Sequence, residues 1–221
     1  MQNLVDNSLN NMLVTPRQDM RQTYSEPHRV YHTLSHIYDI LQGIELAQRF
    51  YSLSEFDVQI LHTVTWYHDV VYDPQAPPGE NENKSANLFM NLYSEEYSTS
   101  TDINYFSPVI ADMITEIIQG TINHTIVSDD TFWDGSATFL GVLFFDLDLR
   151  GMATDYDENA KLVRQEFSHL SDVEWNHGRR KFLESMLDRP IFHTSLFGAL
   201  ESVAKRNIAH EYEQLKEACG D

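Results

Sequence analysis

Apolar residues recur along this chain mostly at intervals of three and four positions, the spacing that places side chains on one face of an α-helix. The clearest run follows Arg29 and comprises Val30, Leu34, Ile37, Ile40, Leu41, Ile44 and Leu46. A second run begins at Ser54, which the sequence predicts as a helix N-cap with Asp57 at the N3 position, and it continues to about Val71. The pattern therefore predicts two long helices in the first third of the chain.

The rest of the chain continues this helical pattern after one loop, PQAPPGENEN (74–83), which holds three of the seven prolines. Further helices are predicted at 84–97, 107–120, 131–151, 154–170, 175–187 and 195–216. The segment VLFFDL (142–147) has strand propensity, but its place between helical stretches favours a helix. We expect an all-α fold of roughly eight helices in a single domain, 1–221, since 221 residues can bury one sizeable core.

The charge balance and the cysteine content exclude several kinds of partner. The chain has 34 acidic and 15 basic side chains, a formal net charge of −19. Such a surface repels DNA, RNA and anionic membranes, so we expect no nucleic acid polymer and no membrane as partner. No apolar run reaches the roughly 18–20 residues of a membrane span, and no secretory signal is visible. The single cysteine, Cys219, has no partner for a disulfide, which fits a cytoplasmic protein.

Ionisable residues lie inside otherwise apolar helical segments. The doublet His68-Asp69 occurs in TWYHDVVYD (65–73), where burying an unpaired carboxylate is costly, so a divalent cation is a suitable partner. Histidines 28, 32 and 36 follow one another at intervals of four and would share one helix face. HTLSH (32–36) lacks the glutamate of a zinc-protease HExxH motif, so that chemistry is not supported. His36, beside Ile37 in the apolar period, is the better candidate for an inward-facing ligand.

Two more aspartates, Asp146 and Asp148, lie in FFDLDL (144–149). Residues two positions apart on a helix point about 200° apart, so only one of the two can easily bind an ion held by other segments. The spacing alone leaves open which of them it is.

These residues resemble the H…HD…D signature of the HD superfamily of metal-dependent phosphohydrolases. The stretches YSEPHRVYHTLSHI (24–37), WYHDVVYD (66–73), NENKSA (81–86) and WNHGRRKFL (175–183) resemble one branch, known as predicted metal-dependent HD phosphohydrolases. The resemblance covers about Tyr24 to Tyr212 and implies a single HD-type helical domain with that core.

The resemblance implies that one divalent transition metal is bound by His36, His68, Asp69 and Asp148. Asp146 is the alternative to Asp148, since both aspartates precede a leucine. His124, in GTINHT, is the one further candidate ligand, so a mononuclear site is favoured. Two imidazoles and two carboxylates suit Mn, Fe, Co, Ni or Zn better than Ca.

The implied reaction is hydrolysis of a phosphate ester in a small molecule, preferably a nucleotide, by a metal-activated water. Asp69 and Glu82 are the candidate catalytic residues, although Glu82 can equally be a solvated acid at a helix start. Candidate substrate contacts, three of which adjoin the proline-rich loop, are Arg29, His32, Asp73, Lys84, Ser85, Arg179 and Arg180. The two arginines of GRR can equally form an ordinary basic helix face, and His28 has no assigned purpose.

Three other functions remain open from the sequence. The same fold could bind a metal or a nucleotide and signal through a partner without catalysis. A di-iron oxygenase would need more ligands than the sequence offers, and a purely structural interaction module would leave three sets of buried ionisable groups unexplained. The sequence leaves a homodimer open.

Overall fold

A computed structural model describes residues 2–16, 18–100, 106–125 and 135–219, and every regular element within these ranges is helical. The predicted all-α fold is confirmed, and VLFFDL (142–147) is helical. The α-helices are α1 (Gln2–Asn10), α2 (Met20–Thr23), α3 (Leu34–Tyr51), α4 (Glu55–Tyr67), α5 (Glu80–Thr99), α6 (Pro108–Gly120), α7 (Gly135–Asp148), α8 (Tyr156–Glu166), α9 (Asp172–Leu187), α10 (Ser195–Gly198) and α11 (Glu201–Cys219). A 3-10 turn, Leu149–Met152, follows α7.

The described residues thus hold eleven α-helices instead of roughly eight. Two of the additional helices, α2 and α10, are single turns of four residues, too short to show an apolar period. None of the described helices is long and apolar enough to cross a membrane.

Contacts within the chain divide it into two compact units, Met1–Phe145 and Asp146–Asp221. The single-domain organisation therefore stays a prediction. In the first unit α4 is the central helix, because it contacts α1, α3, α5 and α6. Every residue of α4 from Ile60 to Tyr67 is buried, as expected of a helix that is covered on all sides.

The beginning of α4 has the predicted cap. The Ser54 hydroxyl accepts a hydrogen bond from the Asp57 amide at 3.1 Å, and the Asp57 carboxylate accepts one from the Ser54 amide at 2.9 Å. This capping box satisfies two amides that the first turn leaves without helical partners.

Several predicted helix boundaries were wrong: α5 already starts at Glu80, inside the predicted loop, and the helix predicted at 195–216 is divided into α10 and α11. Two further differences concern the histidines. The first long helix starts at Leu34, not near Arg29, so His28 and His32 lie in turns and the three histidines do not form a helical face. The second ends at Tyr67, so His68 and Asp69 follow the helix. The apolar pattern extends past the end of the second helix because Val70 is buried without being helical, and before the start of the first because Val30 is half-buried in a bend.

In the second unit α9 packs against α11, and a buried ion pair joins them. Arg179 Nε donates to Glu211 Oε1 at 2.9 Å and Arg179 Nη2 donates to Glu211 Oε2 at 2.9 Å, while the Tyr156 hydroxyl also donates to Glu211. A buried carboxylate is stable only with such partners. The interaction is therefore part of the helix packing in this unit.

Two fully buried tyrosines of the first unit differ in one hydrogen bond. The Tyr24 hydroxyl donates to the Trp66 carbonyl at 3.0 Å, whereas no described residue pairs with the Tyr67 hydroxyl. We expect Tyr67→Phe to raise the free energy of unfolding by about 1 kcal/mol, because it removes a buried unpaired group. Tyr24→Phe, the matched control, should lower it by about 1–3 kcal/mol. Urea unfolding of both variants measures this, and equal losses would contradict the assignment.

The buried His62 on α4 makes stability depend on pH. Burial lowers its pKa from 6.5 to about 4, and its Nδ1 accepts a hydrogen bond from the Asn11 side chain at 3.3 Å. As the pH falls, His62 of the unfolded chain therefore becomes protonated at a higher pH than His62 of the folded protein. We expect His62 to cost up to about 3 kcal/mol of stability between pH 6.5 and pH 4, with none of this loss above pH 6.5.

His62→Gln removes the titrating group and keeps a polar side chain near Asn11. Unfolding free energies measured at several pH values should therefore fall less steeply with acid in this variant than in the wild type. Parallel curves for the two proteins would show that His62 does not titrate in this range.

Candidate metal centre

The doublet His68-Asp69 lies in the turn directly after α4, where the chain changes direction. His68 caps the helix, and its amide donates to the Val64 carbonyl at 2.9 Å. On a helix, adjacent side chains point about 100° apart. His68 still has helical backbone angles (φ −60°, ψ −40°), yet its Nε2 lies 3.1 Å from Asp69 Oδ2, so the two side chains converge on one point.

His36 reaches the same point from the first turn of α3. Thr33 caps this helix by accepting a hydrogen bond from the Ser35 amide at 3.3 Å. His36 Nε2 lies 3.4 Å from His68 Nε2, and donor atoms of His36, His68 and Asp69 all lie within 4.8 Å of one another. All three residues are less than 9% exposed. Two segments more than 30 residues apart thus form one buried cluster of nitrogen and oxygen donors.

A hydrogen bond fixes which nitrogen of His68 faces the cluster. His68 Nδ1 lies 2.8 Å from the Thr65 carbonyl, which can only accept, so this nitrogen carries the proton. Nε2 therefore faces the Asp69 carboxylate at 3.1 Å. At this distance either a proton on Nε2 or a cation shared by the two groups joins them. Metal-binding histidines typically have this second hydrogen bond to a carbonyl.

The three side chains fit a divalent cation. With metal–ligand bonds of about 2.1 Å, ligand atoms lie about 3.0 Å apart at 90° and about 3.4 Å apart at a tetrahedral angle. The separations of 3.1 Å between His68 and Asp69 and 3.4 Å between His68 and His36 match these values. Two imidazoles and a carboxylate suit Mn, Fe, Co, Ni or Zn. These residues can therefore hold the ion expected from the sequence.

The two aspartates proposed for the fourth ligand have different environments within the second unit. The fully buried Asp146 carboxylate accepts hydrogen bonds from the His193 amide at 2.9 Å and from the amide and hydroxyl of Thr194 at 2.7 and 2.6 Å. Burial raises the pKa of Asp146, and the hydrogen bonds from Thr194 and His193 oppose this rise. Asp146 thus anchors the 193–194 turn. Asp148 is the last residue of α7, and its assignment as a ligand stays a prediction.

Arg29 does not face solvent, as a phosphate contact would. Its side chain is 1% exposed, and its guanidinium donates to the Asp69 carbonyl at 2.8 Å and to the Val70 carbonyl at 3.0 Å. His28 lies beside it and donates from Nε2 to the Tyr72 carbonyl at 3.0 Å. These contacts favour a structural role for both residues. The sequence gives no signal of this role, because no local pattern shows that a side chain finds an acceptor 40 residues away.

Three other candidate substrate contacts support the loop or lie on the surface. The buried Ser85 hydroxyl accepts from the Val71 amide at 3.1 Å, next to the doublet. The Asp73 carboxylate accepts from the Gln75 amide at 2.9 Å and so shapes the loop itself. Lys84 forms an exposed ion pair with Glu80, one turn earlier on α5. Their roles as substrate contacts stay predictions.

His32 and Glu82 border the three donors. His32 Nε2 lies 3.8 Å from Asp69 Oδ2, and its side chain is 22% exposed. Burial raises the pKa of Glu82, and a backbone hydrogen bond opposes this rise. Among nearby charges, Asp69 raises the pKa of Glu82, whereas His32 and His124 lower it. Glu82 is therefore within electrostatic reach of Asp69. Of the candidates around the doublet, these two residues suit contact with a substrate best.

The GRR arginines lie on α9 in the second unit. Arg179 is paired with Glu211 and only 9% exposed, so its charge is already compensated within the protein. The Arg180 guanidinium lies 5.8 Å from the ring centre of Tyr212. Substrate contact by either arginine stays a prediction.

Comparison with family models, with curated proteins and with solved structures gave no match for this chain. The character of the site therefore rests on the positions and chemistry of its own residues. That geometry defines a buried cluster of two histidines and one aspartate that is suited to a divalent cation.

Removal of a ligand tests the cluster directly. We expect His68→Ala and Asp69→Ala to weaken binding of Co²⁺ or Mn²⁺ by more than the roughly 10- to 100-fold typical of residues outside the ligand set. His177→Ala removes an exposed histidine of α9 and should leave the affinity unchanged. Calorimetric titration of the metal-free proteins measures this. Full occupancy in either cluster variant would show that the ligand assignment is wrong.

Proposed function

We propose that this protein is a metal-dependent phosphohydrolase of the HD type, which cleaves a phosphate ester in a small molecule, with nucleotides as the preferred class. The observation that carries the proposal is the convergence of His36, His68 and Asp69, with His68 oriented by the Thr65 carbonyl. The order of these residues along the chain, H…HD, is that of the resemblance described above.

A divalent ion held by these residues would supply a Lewis acid that polarises a phosphoryl oxygen and lowers the pKa of a water molecule. The protein around it has two further tasks. His32, the partly exposed neighbour of Asp69, would donate a hydrogen bond to a phosphate oxygen. Glu82 would accept a proton during the reaction, since its raised pKa makes it a stronger base than an ordinary carboxylate.

Local positive charge is needed because the chain carries a net charge of −19. A divalent ion would offset the repulsion that a phosphate otherwise meets at such a surface, and the His32 side chain would add a hydrogen-bond donor. A small substrate needs only this local compensation. A long nucleic acid would meet the negative surface over a much larger area, which is why a small molecule is favoured.

Glu82→Gln tests the catalytic assignment. The change removes the base and keeps the shape of the side chain, so we expect kcat to fall about 10²- to 10⁴-fold with unchanged metal content. Glu80→Gln is the matched control on the same turn of α5, where Glu80 pairs with the exposed Lys84, and it should retain the wild-type rate. Phosphate release from a panel of nucleotides and aryl phosphates measures both.

The same assay separates an enzyme from a non-catalytic sensor. Turnover of at least one compound by the metal-loaded wild type is expected. A metal-loaded protein that binds nucleotides and hydrolyses none of them would contradict the enzyme and favour the sensor.

A further inference from the structure

Arg29 is a buried cation whose nearest acceptors are mainly backbone carbonyls. Its guanidinium donates to Asp69 and Val70, lies 3.4 Å from Glu26 Oε2, and is 4.8 Å from the ring centre of Tyr24. Burying a charge is costly unless hydrogen bonds and nearby charge compensate it. We therefore expect the buried guanidinium of Arg29 to stabilise the backbone to which it donates.

The geometry of arginine suggests how it does this. Its planar fork can hold two acceptors in fixed directions, which a lysine ammonium cannot do. Its two closest acceptors are consecutive carbonyls, at 2.8 and 3.0 Å, and the His32 carbonyl accepts a longer bond at 3.5 Å. Holding the two consecutive carbonyls fixes the peptide between Asp69 and Val70 and thereby the backbone from which the Asp69 side chain extends.

The position of this peptide explains why it needs support. It follows the end of α4, where backbone carbonyls have no partner within the helix. On the other side of the same turn, the Ser85 hydroxyl holds the Val71 amide at 3.1 Å. Arg29 and Ser85 thus hold the carbonyl and the amide of one peptide, Val70–Val71, directly after the doublet.

We infer that Arg29 is a positioning residue of the metal centre, acting through the Asp69 and Val70 carbonyls to keep the Asp69 carboxylate beside His68. The inference rests on the proposed metal site. It replaces the phosphate contact expected from the sequence, since the guanidinium is enclosed within the protein.

The test compares Arg29→Lys with Arg164→Lys. Arg164, in the second unit, also donates to two backbone carbonyls, Phe167 at 3.0 Å and Leu170 at 3.4 Å, and is paired with Asp172 at 2.8 Å with a side chain that is 32% exposed. Both substitutions keep the charge and remove the fork. We expect Arg29→Lys to weaken Co²⁺ binding about 10- to 100-fold and Arg164→Lys to leave it unchanged, even where both lower the melting temperature.

The outcomes separate this inference from the proposed function. Absence of Co²⁺ binding by the wild type would overturn the metal site and the inference with it. Wild-type binding that His68→Ala abolishes and Arg29→Lys leaves unchanged would overturn the inference alone. Equal weakening by both lysine variants would also overturn it, because the effect would then reflect general stability.

A measurement on the wild type covers the case in which Arg29→Lys does not fold. The Nε–H signal of Arg29 in a ¹⁵N NMR spectrum should shift when Zn²⁺ is added, because the guanidinium contacts the residue that binds the ion. The corresponding Arg164 signal should stay in place. An unchanged Arg29 signal in a protein saturated with Zn²⁺ would contradict the coupling.

Discussion

Side chains from residues 24–29 supply hydrogen-bond donors to the backbone at and after the end of α4, and the candidate site depends on this interaction. The Tyr24 hydroxyl satisfies the Trp66 carbonyl, Arg29 satisfies Asp69 and Val70, and His28 satisfies Tyr72. Without these donors the buried carbonyls of Trp66, Asp69 and Val70 would lack partners, at a cost of about 1–3 kcal/mol each. The turn can therefore exist within the protein only because a distant segment covers it.

The same turn gives the donor cluster its chemistry. His68 keeps helical backbone angles (φ −60°, ψ −40°), and its side chain and that of Asp69 converge so that Nε2 and Oδ2 lie 3.1 Å apart. Burial keeps water from separating the two groups and strengthens their interaction with any ion that enters. His32 and Glu82 add polar groups beside the cluster without being part of it.

Buried charges in the second unit have a different purpose. The Asp146 carboxylate is satisfied by the 193–194 turn, and Glu211 is satisfied by Arg179 and Tyr156. Each of these groups has its partners within the same unit, so its burial needs no ligand. A buried ionisable residue in an apolar segment therefore indicates either a ligand-binding site or a structural hydrogen-bond anchor. The partners of its side chain distinguish the two cases.

The amino-acid sequence by itself determined the all-α fold, the capping box of α4, and the identity of His36, His68 and Asp69 as the ionisable residues to examine. These follow from local periodicity and from the cost of burying charge, both of which are readable residue by residue. The tertiary structure alone decided where α4 ends, since Val70 continues the apolar pattern while lying in a turn. It also decided that Arg29 donates hydrogen bonds to residues 40 or more positions away, and that Asp146 accepts them from residues equally distant in the sequence. Such pairings depend on how helices pack, which no local pattern contains.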